Sequence, residues 1–232
     1  MSSAFARFVD TNTEIASAPL VPEIRLRVAH DAHAIFEAAE GLVRQTLMRL
    51  PPYWAFAWPG GQALARHLLD NPSLVHGRRV IDVGAGSGIG AIAAALAGAA
   101  DVLAADIDAV AEIAIRKNAG LNGQADRIAT TTRDVLGDSP NADVVLISDL
   151  VYEPELALRV GGLIERASRH GSLVLLGDRV TSRQPTGRLE SLARYRAPLF
   201  PPLADEEVED GRVWRVTATG GKRAPAGAVE GL

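Results

Sequence analysis

The 232-residue chain contains no cysteine, so disulfide bonds, cysteine-ligated zinc and thiol catalysis are excluded. Histidine is present, but its five residues show no grouping with the spacing of a metal site. His30 and His33 stand three positions apart near the start of a predicted helix, with no third ligand close in sequence. We therefore predict no metal and interpret this pair as part of a solvated helix start.

Long apolar runs and an excess of positive charge are also missing. The most apolar stretch, residues 89–100, is too short to span a bilayer. The formal net charge of −4 disfavours nucleic acids and anionic membranes as partners, because both require clustered lysine and arginine. Residues 1–20 lack the basic and apolar regions of a secretory signal. We expect a soluble, cytoplasmic protein, with a monomer favoured.

From residue 78 onward the sequence alternates short apolar runs with helical patterns. The apolar runs are nearly continuous, which is typical of strands buried on both faces of a parallel sheet. The helical patterns between them predict right-handed crossovers in a doubly wound, Rossmann-like α/β fold. The predicted strands are 78–86, 101–108, 127–134, 142–150 and 171–179, and the predicted helices are 89–99, 110–122 and 154–170.

The two ends of the chain differ from this alternating core. Two strand-like runs, 191–200 and 211–219, have no helix between them and should pair antiparallel. Before the core we predict a strand at 23–29, a helix at 32–50 interrupted or ended near Gly41, an aromatic-rich segment at 51–61 and a helix at 61–72. The predicted division is a flexible N-terminus over 1–21, an extension over 22–77, a core domain over 78–219 and a disordered tail over 220–232.

A glycine-rich loop joins the first core strand to its helix. Gly84, Gly86 and Gly88 allow the backbone to approach a ligand closely, and the helix that follows offers free N–H donors. Asp106 ends the second strand, where it could accept hydrogen bonds from two ribose hydroxyls. The alternatives are that the glycines serve only tight packing and that Asp106 caps the next helix, although Asp108 is the better cap.

The spacing of the glycines helps to distinguish two classes of nucleotide cofactor. A dinucleotide-binding loop has glycine at its first, third and sixth positions. Counted from Gly84 the sixth position is Ile89, and counted from Gly86 it is Ala91, which is a weaker match. Asp82 lies two residues before the loop, where it would repel a pyrophosphate and attract a methionine ammonium and sulfonium.

This Asp-x-Gly-x-Gly-x-Gly segment resembles the cofactor loop of class I S-adenosylmethionine methyltransferases. The resemblance implies a seven-stranded, mostly parallel sheet with helices on both faces, an antiparallel last strand, and an N-terminal helical and aromatic extension that caps the cofactor site. The implied cofactor is S-adenosyl-L-methionine, with S-adenosyl-L-homocysteine as the product. A nicotinamide or flavin enzyme and a non-catalytic relative of the fold are the alternatives.

The predicted cofactor-binding residues come from the loop, from the ends of the neighbouring strands and from the aromatic segment. Asp134 closes the third core strand, where the fold usually places a polar contact to the adenine amino group, and a surface turn is its alternative role. The full set is Trp58, Asp82, Gly84, Ala85, Gly86, Ser87, Gly88, Asp106, Ile107, Asp134 and Ser148.

The acceptor site is expected after the fourth core strand, in residues 147–156. Adenine-N6 and glutamine methyltransferases carry an Asn/Asp-Pro-Pro-Tyr/Phe motif there, which this chain lacks. Asp149 and Tyr152 instead resemble the motif of the seven-β-strand protein lysine methyltransferases. The resemblance implies that Asp149 holds the incoming ammonium and that Tyr152 walls the lysine channel through a cation–π contact. A helix cap for Asp149 and a core position for Tyr152 are the alternatives.

Residues 51–72, PPYWAFAWPGGQALARHLLDNP, carry the sharpest likeness. With PEIRLR upstream and AADID downstream, they closely resemble the electron transfer flavoprotein β-subunit lysine methyltransferases over residues 22–178. The resemblance implies that Trp58 packs on the cofactor, and it implies the electron transfer flavoprotein β-subunit as the protein substrate. A packed core is favoured for Tyr53, Trp54 and Phe56.

The residues over 180–212 match nothing in that family, which leaves the choice of substrate open. The alternative substrates are another protein, such as a ribosomal protein, and a small molecule that is methylated on nitrogen or oxygen. A binding protein that retains the fold without turnover is a further alternative.

Overall fold

The chain begins with a helix in the computed structural model, which describes residues 2–46, 51–179, 188–203 and 209–217. Strands β1 and β2 pair antiparallel as a separate two-stranded sheet. The elements that precede the core are α1 (Ser2–Asn12), β1 (Thr13–Ser17), β2 (Arg25–Ala29), α2 (Ala32–Thr46), a 3₁₀ turn (Tyr53–Ala55) and α3 (Pro59–Asp70).

The first helices correct two expectations. Residues 1–21 are not a flexible segment where the structure describes them, because Phe5 and Val9 are buried on one face of α1 in a cluster with Trp54. An apolar stripe of so few residues can be recognised only when the residues that it packs against are known. Helix α2 also continues through Gly41, since one glycine costs a helix only about 1 kcal/mol. Residues 47–50 of the predicted helix lie outside the described residues.

A seven-stranded sheet with the order β5-β4-β3-β6-β7-β9-β8 forms the centre of the protein. Strands β3 to β7 are parallel to one another, whereas β9 runs antiparallel to both β7 and β8. These findings confirm the predicted class, including the antiparallel end of the sheet. The elements are β3 (Arg79–Val83), α4 (Ile89–Leu96), β4 (Asp101–Ala105), α5 (Ala109–Leu121), β5 (Ile128–Thr131), β6 (Val144–Ser148), α6 (Pro154–Arg169), β7 (Leu173–Arg179), β8 (Arg188–Ala197) and β9 (Glu209–Thr217).

Both faces of the sheet are covered by helices, which explains the continuous apolar character of its central strands. In β6 the four residues from Val144 to Ile147 have no exposed surface. One apolar cluster joins the sheet to α3 and α4, and another joins it to α6. None of the described helices is both long and apolar enough to cross a bilayer. The predicted tail over 220–232 lies outside the described residues.

Helix α3 lies backbone to backbone on the sheet at its first turn. A side chain at Gly177 in β7 would clash with the carbonyl oxygen of Gly60. A β-carbon at Gly211 in β9 would lie 2.5 Å from the carbonyl oxygen of Pro59. This close approach fixes the N-terminus of α3 beside the carboxyl end of β7, where the sheet edge and the aromatic segment meet.

Replacing Gly177 with alanine should push α3 away from β7. Because the added methyl group meets backbone rather than a flexible side chain, we expect the free energy of unfolding to fall by about 1–3 kcal/mol. Gly120→Ala is the matched control, since a β-carbon there has nothing within 4 Å. Urea denaturation measures both changes, and equal stability of the two variants would contradict this packing.

Candidate active site

A cavity of about 330 Å³ opens at the carboxyl edge of the sheet. It is within the size range of sites for small molecules and cofactors. Its walls come from the loop after β3, the ends of β4, β6 and β7, and the aromatic segment before α3. Most of the predicted site residues line it: Trp58, Gly84, Ala85, Gly86, Ser87, Asp106, Ile107, Asp134, Ser148, Asp149 and Tyr152.

The loop after β3 adopts a conformation that favours glycine. Gly84 and Gly86 have φ angles of 67° and 53°, in the left-handed region. A β-carbon at Gly84 would lie 2.7 Å from the Leu150 side chain, so steric contact also requires glycine there. Gly88 is not among the residues that line the cavity, and its Cα faces Ile115. The alternative that the glycines serve only tight packing therefore applies to Gly88, whereas Gly84 and Gly86 also border the cavity.

Asp82 lies behind this loop. Its side chain is buried and does not line the cavity, and its Oδ2 accepts a hydrogen bond from the Ala91 amide at 2.8 Å. Burial raises the pKa of Asp82 to about 7. The carboxyl group therefore fixes the first turn of α4, the helix that follows the glycine loop. Its role in attracting a cationic cofactor stays a prediction.

Asp106 lies at the end of β4 and lines the cavity. Its carboxylate accepts hydrogen bonds from the amides of Gly86, at 2.8 Å, and Asp108, at 3.0 Å. A carboxylate offers about four acceptor positions, so these bonds leave capacity for ribose hydroxyls. Burial raises the pKa of Asp106. Asp108 caps α5 by accepting from the Val110 amide at 2.8 Å, which confirms its interpretation as the cap.

Asp134 is a turn residue that also borders the cavity. It stands in a turn, where its Oδ1 accepts from the Leu136 amide at 3.0 Å and its Oδ2 pairs with Arg159 at 2.6 Å. The hydrogen bond from Arg159 lowers the pKa of Asp134. The residue also lines the cavity, as does the exposed side chain of Ile107. Contacts of these two residues with the adenosine part of a cofactor stay predictions.

Asp149 caps a helix that is distant in sequence. Its two carboxylate oxygens accept hydrogen bonds from the amides of Gly60, at 3.1 Å, and Gly61, at 2.7 Å, in the first turn of α3. Its φ of 48° is the only positive value at a non-glycine position in the described parts of the chain. The helix cap considered for Asp149 is therefore present, but on α3 and not on α6, whose N-cap is Glu153.

The charge on Asp149 is controlled by its surroundings. Desolvation raises the pKa of its carboxyl group to about 7, and the negative charge of Asp178 adds to this shift. The α3 amides and Arg179 act in the opposite direction. Asp178 and Arg179 line the cavity but were missed by the sequence reasoning. Their signal was available, because they end the strand next to β6 and parallel strands end at one sheet edge.

Aromatic rings line the cavity together with these carboxylates. The ring of Tyr53 lies edge-on to the rings of Trp58, at 5.7 Å, and Tyr152, at 6.1 Å. Tyr53 and Tyr152 are 42% and 43% exposed, so neither is a core residue. The core expectation for Tyr53 is wrong, because the 3₁₀ turn directs it to the cavity rim. Trp54 and Phe56 are buried as expected and also line the cavity.

Comparison with known proteins assigns the family. A family model described as ribosomal protein L11 methyltransferase matches residues 63–158. The electron transfer flavoprotein beta subunit lysine methyltransferase of Xenopus laevis is 37% identical over 215 residues, which is 89% of this chain and 85% of that protein. The protein of the same name from Mus musculus is 38% identical over 214 residues, with coverages of 89% and 82%. The chain belongs to this lysine methyltransferase family.

A solved structure supports the fold independently. A Pyrococcus horikoshii protein proposed to be an RNA methyltransferase has a TM-score of 0.53 at 16% sequence identity. The match covers 73% of this chain and 91% of that protein. At this level of identity the likeness shows the shared fold and nothing about the substrate.

The chain is an S-adenosylmethionine-dependent methyltransferase. The cavity fits such a cofactor, because Gly84 and Gly86 border it with backbone alone. Asp106 offers an acceptor for hydroxyl groups, and the aromatic wall offers an apolar surface. The methyltransferase has no cluster of three or more potential metal ligands among its described residues.

Replacing Gly86 with arginine should abolish binding of S-adenosylhomocysteine, because the side chain would start at the loop that borders the cavity. Isothermal titration calorimetry measures the affinity. Gly123→Arg is the matched control, since Gly123 has a φ of 67° and nothing within 4 Å of an added β-carbon. Normal affinity in the Gly86 variant would refute the placement of the cofactor.

The raised pKa of Asp149 should also appear in stability. Its carboxyl group binds a proton more tightly in the folded protein than in the unfolded chain, so ionisation costs stability as the pH rises. Relative to Asp149→Asn, the free energy of unfolding of the wild type should fall by up to about 1.4 kcal/mol per pH unit between about pH 5 and pH 7.

The control for this measurement is Asp143→Asn. The pKa of Asp143 is about 2 because Arg79 stabilises its charge, so it stays ionised throughout that pH range. Its replacement should leave the slope of unfolding free energy against pH unchanged. Parallel curves for the wild type and Asp149→Asn would mean that Asp149 does not titrate in this window.

Proposed function

We propose that this methyltransferase transfers the methyl group of S-adenosylmethionine to a lysine of the electron transfer flavoprotein β-subunit. The observation that carries the proposal is the continuity of one cavity from the glycine loop to an end with acidic and aromatic side chains. Asp149 and Asp178 supply the acidic groups, and Tyr53, Trp58 and Tyr152 supply the rings. A long side chain with a cationic tip fits such a surface. The names of the family members support the choice of protein substrate.

The chemistry requires a neutral amine in line with the methyl group. The bound cofactor supplies an electrophilic methyl group on its sulfonium. Because free lysine has a pKa near 10.4, deprotonation at pH 7 costs roughly 4–5 kcal/mol. In transfer, the bond from sulfur to methyl breaks as the bond from nitrogen to methyl forms.

In this proposal Asp149 orients the incoming ammonium and does not remove its proton. A nearby carboxylate favours the charged form of lysine, so the proton leaves to water before the amine is aligned. The arriving cation in turn favours the ionised form of Asp149, whose pKa is about 7 without it. Tyr152 contributes one wall of the channel, and the exposed Tyr53 contributes the wall beside it.

A ribosomal protein is a weaker candidate substrate. The ribosomal protein L11 methyltransferase of Trichlorobacter lovleyi is 38% identical over 112 residues, but this covers only 47% of this chain and 35% of that protein. The flavoprotein methyltransferases match along most of the chain, which includes the segment that forms the aromatic wall. The proposal includes a cytoplasmic location and a monomeric state.

Purified electron transfer flavoprotein, incubated with the enzyme and radiolabelled S-adenosylmethionine, tests the proposal. We expect label on the β-subunit, at a lysine identified by mass spectrometry of its peptides. Parallel reactions contain ribosomal proteins or a protein-free extract of small molecules. Label confined to either of these would contradict the proposed substrate.

The acceptor-site assignment is tested in the same assay with Asp149→Ala. We expect transfer to be abolished while the affinity for S-adenosylhomocysteine stays within a few-fold. Asp101→Ala is the matched control, since Asp101 is an exposed carboxylate at the opposite end of the parallel strands. Unchanged turnover in Asp149→Ala would remove that residue from the acceptor site.

A further inference from the structure

Asn118 joins two parts of the protein that are distant in sequence. It lies in α5 with no exposed surface. Its Nδ2 donates a hydrogen bond to the carbonyl oxygen of Ser87, in the cofactor loop, at 2.8 Å. Its Oδ1 accepts a hydrogen bond from the amide of Arg27, in β2, at 2.8 Å. One buried side-chain amide is therefore hydrogen-bonded to the loop and to the N-terminal extension at the same time.

The bond to Ser87 constrains the shape of the cofactor loop. The carbonyl of Ser87 and the amide of Gly88 belong to one planar peptide unit, so fixing one fixes the other. That amide donates to the carbonyl oxygen of Ala85 at 2.7 Å, which closes the loop on itself. Ser87 is buried and lines the cavity, so losing the donor of Asn118 would leave a buried acceptor unsatisfied.

The bond to Arg27 is part of a short ladder between α5 and β2. Asn122, one turn after Asn118, accepts from the amide of Arg25 at 2.9 Å and donates to its carbonyl oxygen at 2.7 Å. Side chains four residues apart share one face of a helix, so the two asparagines meet alternate residues of the strand. They act on β2 as a neighbouring strand would. Only Asn118 also reaches the loop.

The extension that this ladder holds covers the cavity. Its 3₁₀ turn carries Trp54, whose Cα lies 3.9 Å from the position of a β-carbon on Gly86. Trp54 in turn packs edge-on against Phe8 of α1. A shift of β2 relative to α5 would therefore disturb the wall that faces the glycine loop.

We propose that Asn118 is a positioning residue that couples the N-terminal extension to the cofactor loop, so that the cover and the loop are ordered together. It does not touch the cofactor and acts through the peptide unit after Ser87. Cofactor binding should then stabilise β2, and loss of Asn118 should weaken both the binding of the cofactor and this stabilisation. The inference depends on the cofactor site alone, and its test needs no protein substrate.

The first test compares Asn118→Ala with Asn122→Ala by calorimetry of S-adenosylhomocysteine binding. We expect Asn118→Ala to raise the Kd about tenfold, as the loss of one buried hydrogen bond would. Asn122→Ala, which loses two bonds to β2 but none to the loop, should raise the Kd less than Asn118→Ala does. Equal Kd values for Asn118→Ala and the wild type would overturn the proposal.

The second test measures hydrogen exchange of the amides in residues 25–29, with and without S-adenosylhomocysteine at saturating concentration. We expect the cofactor product to slow this exchange in the wild type and in Asn122→Ala but not in Asn118→Ala. Equal protection in all three proteins would show that the coupling does not pass through Asn118.

Asn118→Asp separates a positioning role from a merely structural one. Its ionised carboxylate can accept from the Arg27 amide but cannot donate to Ser87, whereas the protonated form can do both. Because burial at this position would raise the pKa of the introduced carboxyl group, the ratio of its Kd to the wild-type Kd should rise as the pH increases from about 5 to about 9. A ratio that does not change with pH would contradict the role assigned to the bond with Ser87.

Discussion

The contact between the carboxylate of Asp149 and the first amides of α3 organises the end of the cavity that holds the acidic and aromatic side chains. Gly60 and Gly61 direct their N–H groups at this carboxylate, across a sequence separation of almost ninety residues. The unpaired amides at a helix N-terminus carry partial positive charge, so an anion is favoured there. The bond thus connects the end of β6 to the segment with the aromatic wall. Asp149 is in this way structural as well as a candidate for the acceptor site.

Two other close contacts make this arrangement possible. The missing side chain of Gly177 allows α3 to approach the sheet until its amides reach Asp149. On the other side of the cavity, Asn118 connects the extension to the loop. The sheet edge therefore contacts its covering segments at two places, one beside Asp149 and one beside the glycine loop. This division agrees with an enzyme that must place two substrates in line.

Local patterns predicted the core of the fold well, because buried parallel strands appear in the sequence as apolar runs and the helices between them appear as helical patterns. They failed for α1, whose few apolar residues are meaningful only against Trp54. In the site, Asp106 and the glycines were predictable from their place in the chain. Asp178 could have been found from its place at the end of the strand next to β6, whereas the exposed position of Tyr53 depends on how a turn meets the sheet in space. The capping of α3 by Asp149 depends on the same kind of contact.

Hydrogen exchange at the amides of Gly60 and Gly61 tests the organising contact most directly. We expect Asp149→Ala to accelerate exchange at both amides by at least about tenfold, because each amide loses a hydrogen bond to a carboxylate. The amide of Ala91, which is bound to Asp82, should keep its wild-type rate. Unchanged exchange at Gly60 and Gly61 in the variant would contradict the central role given to this bond.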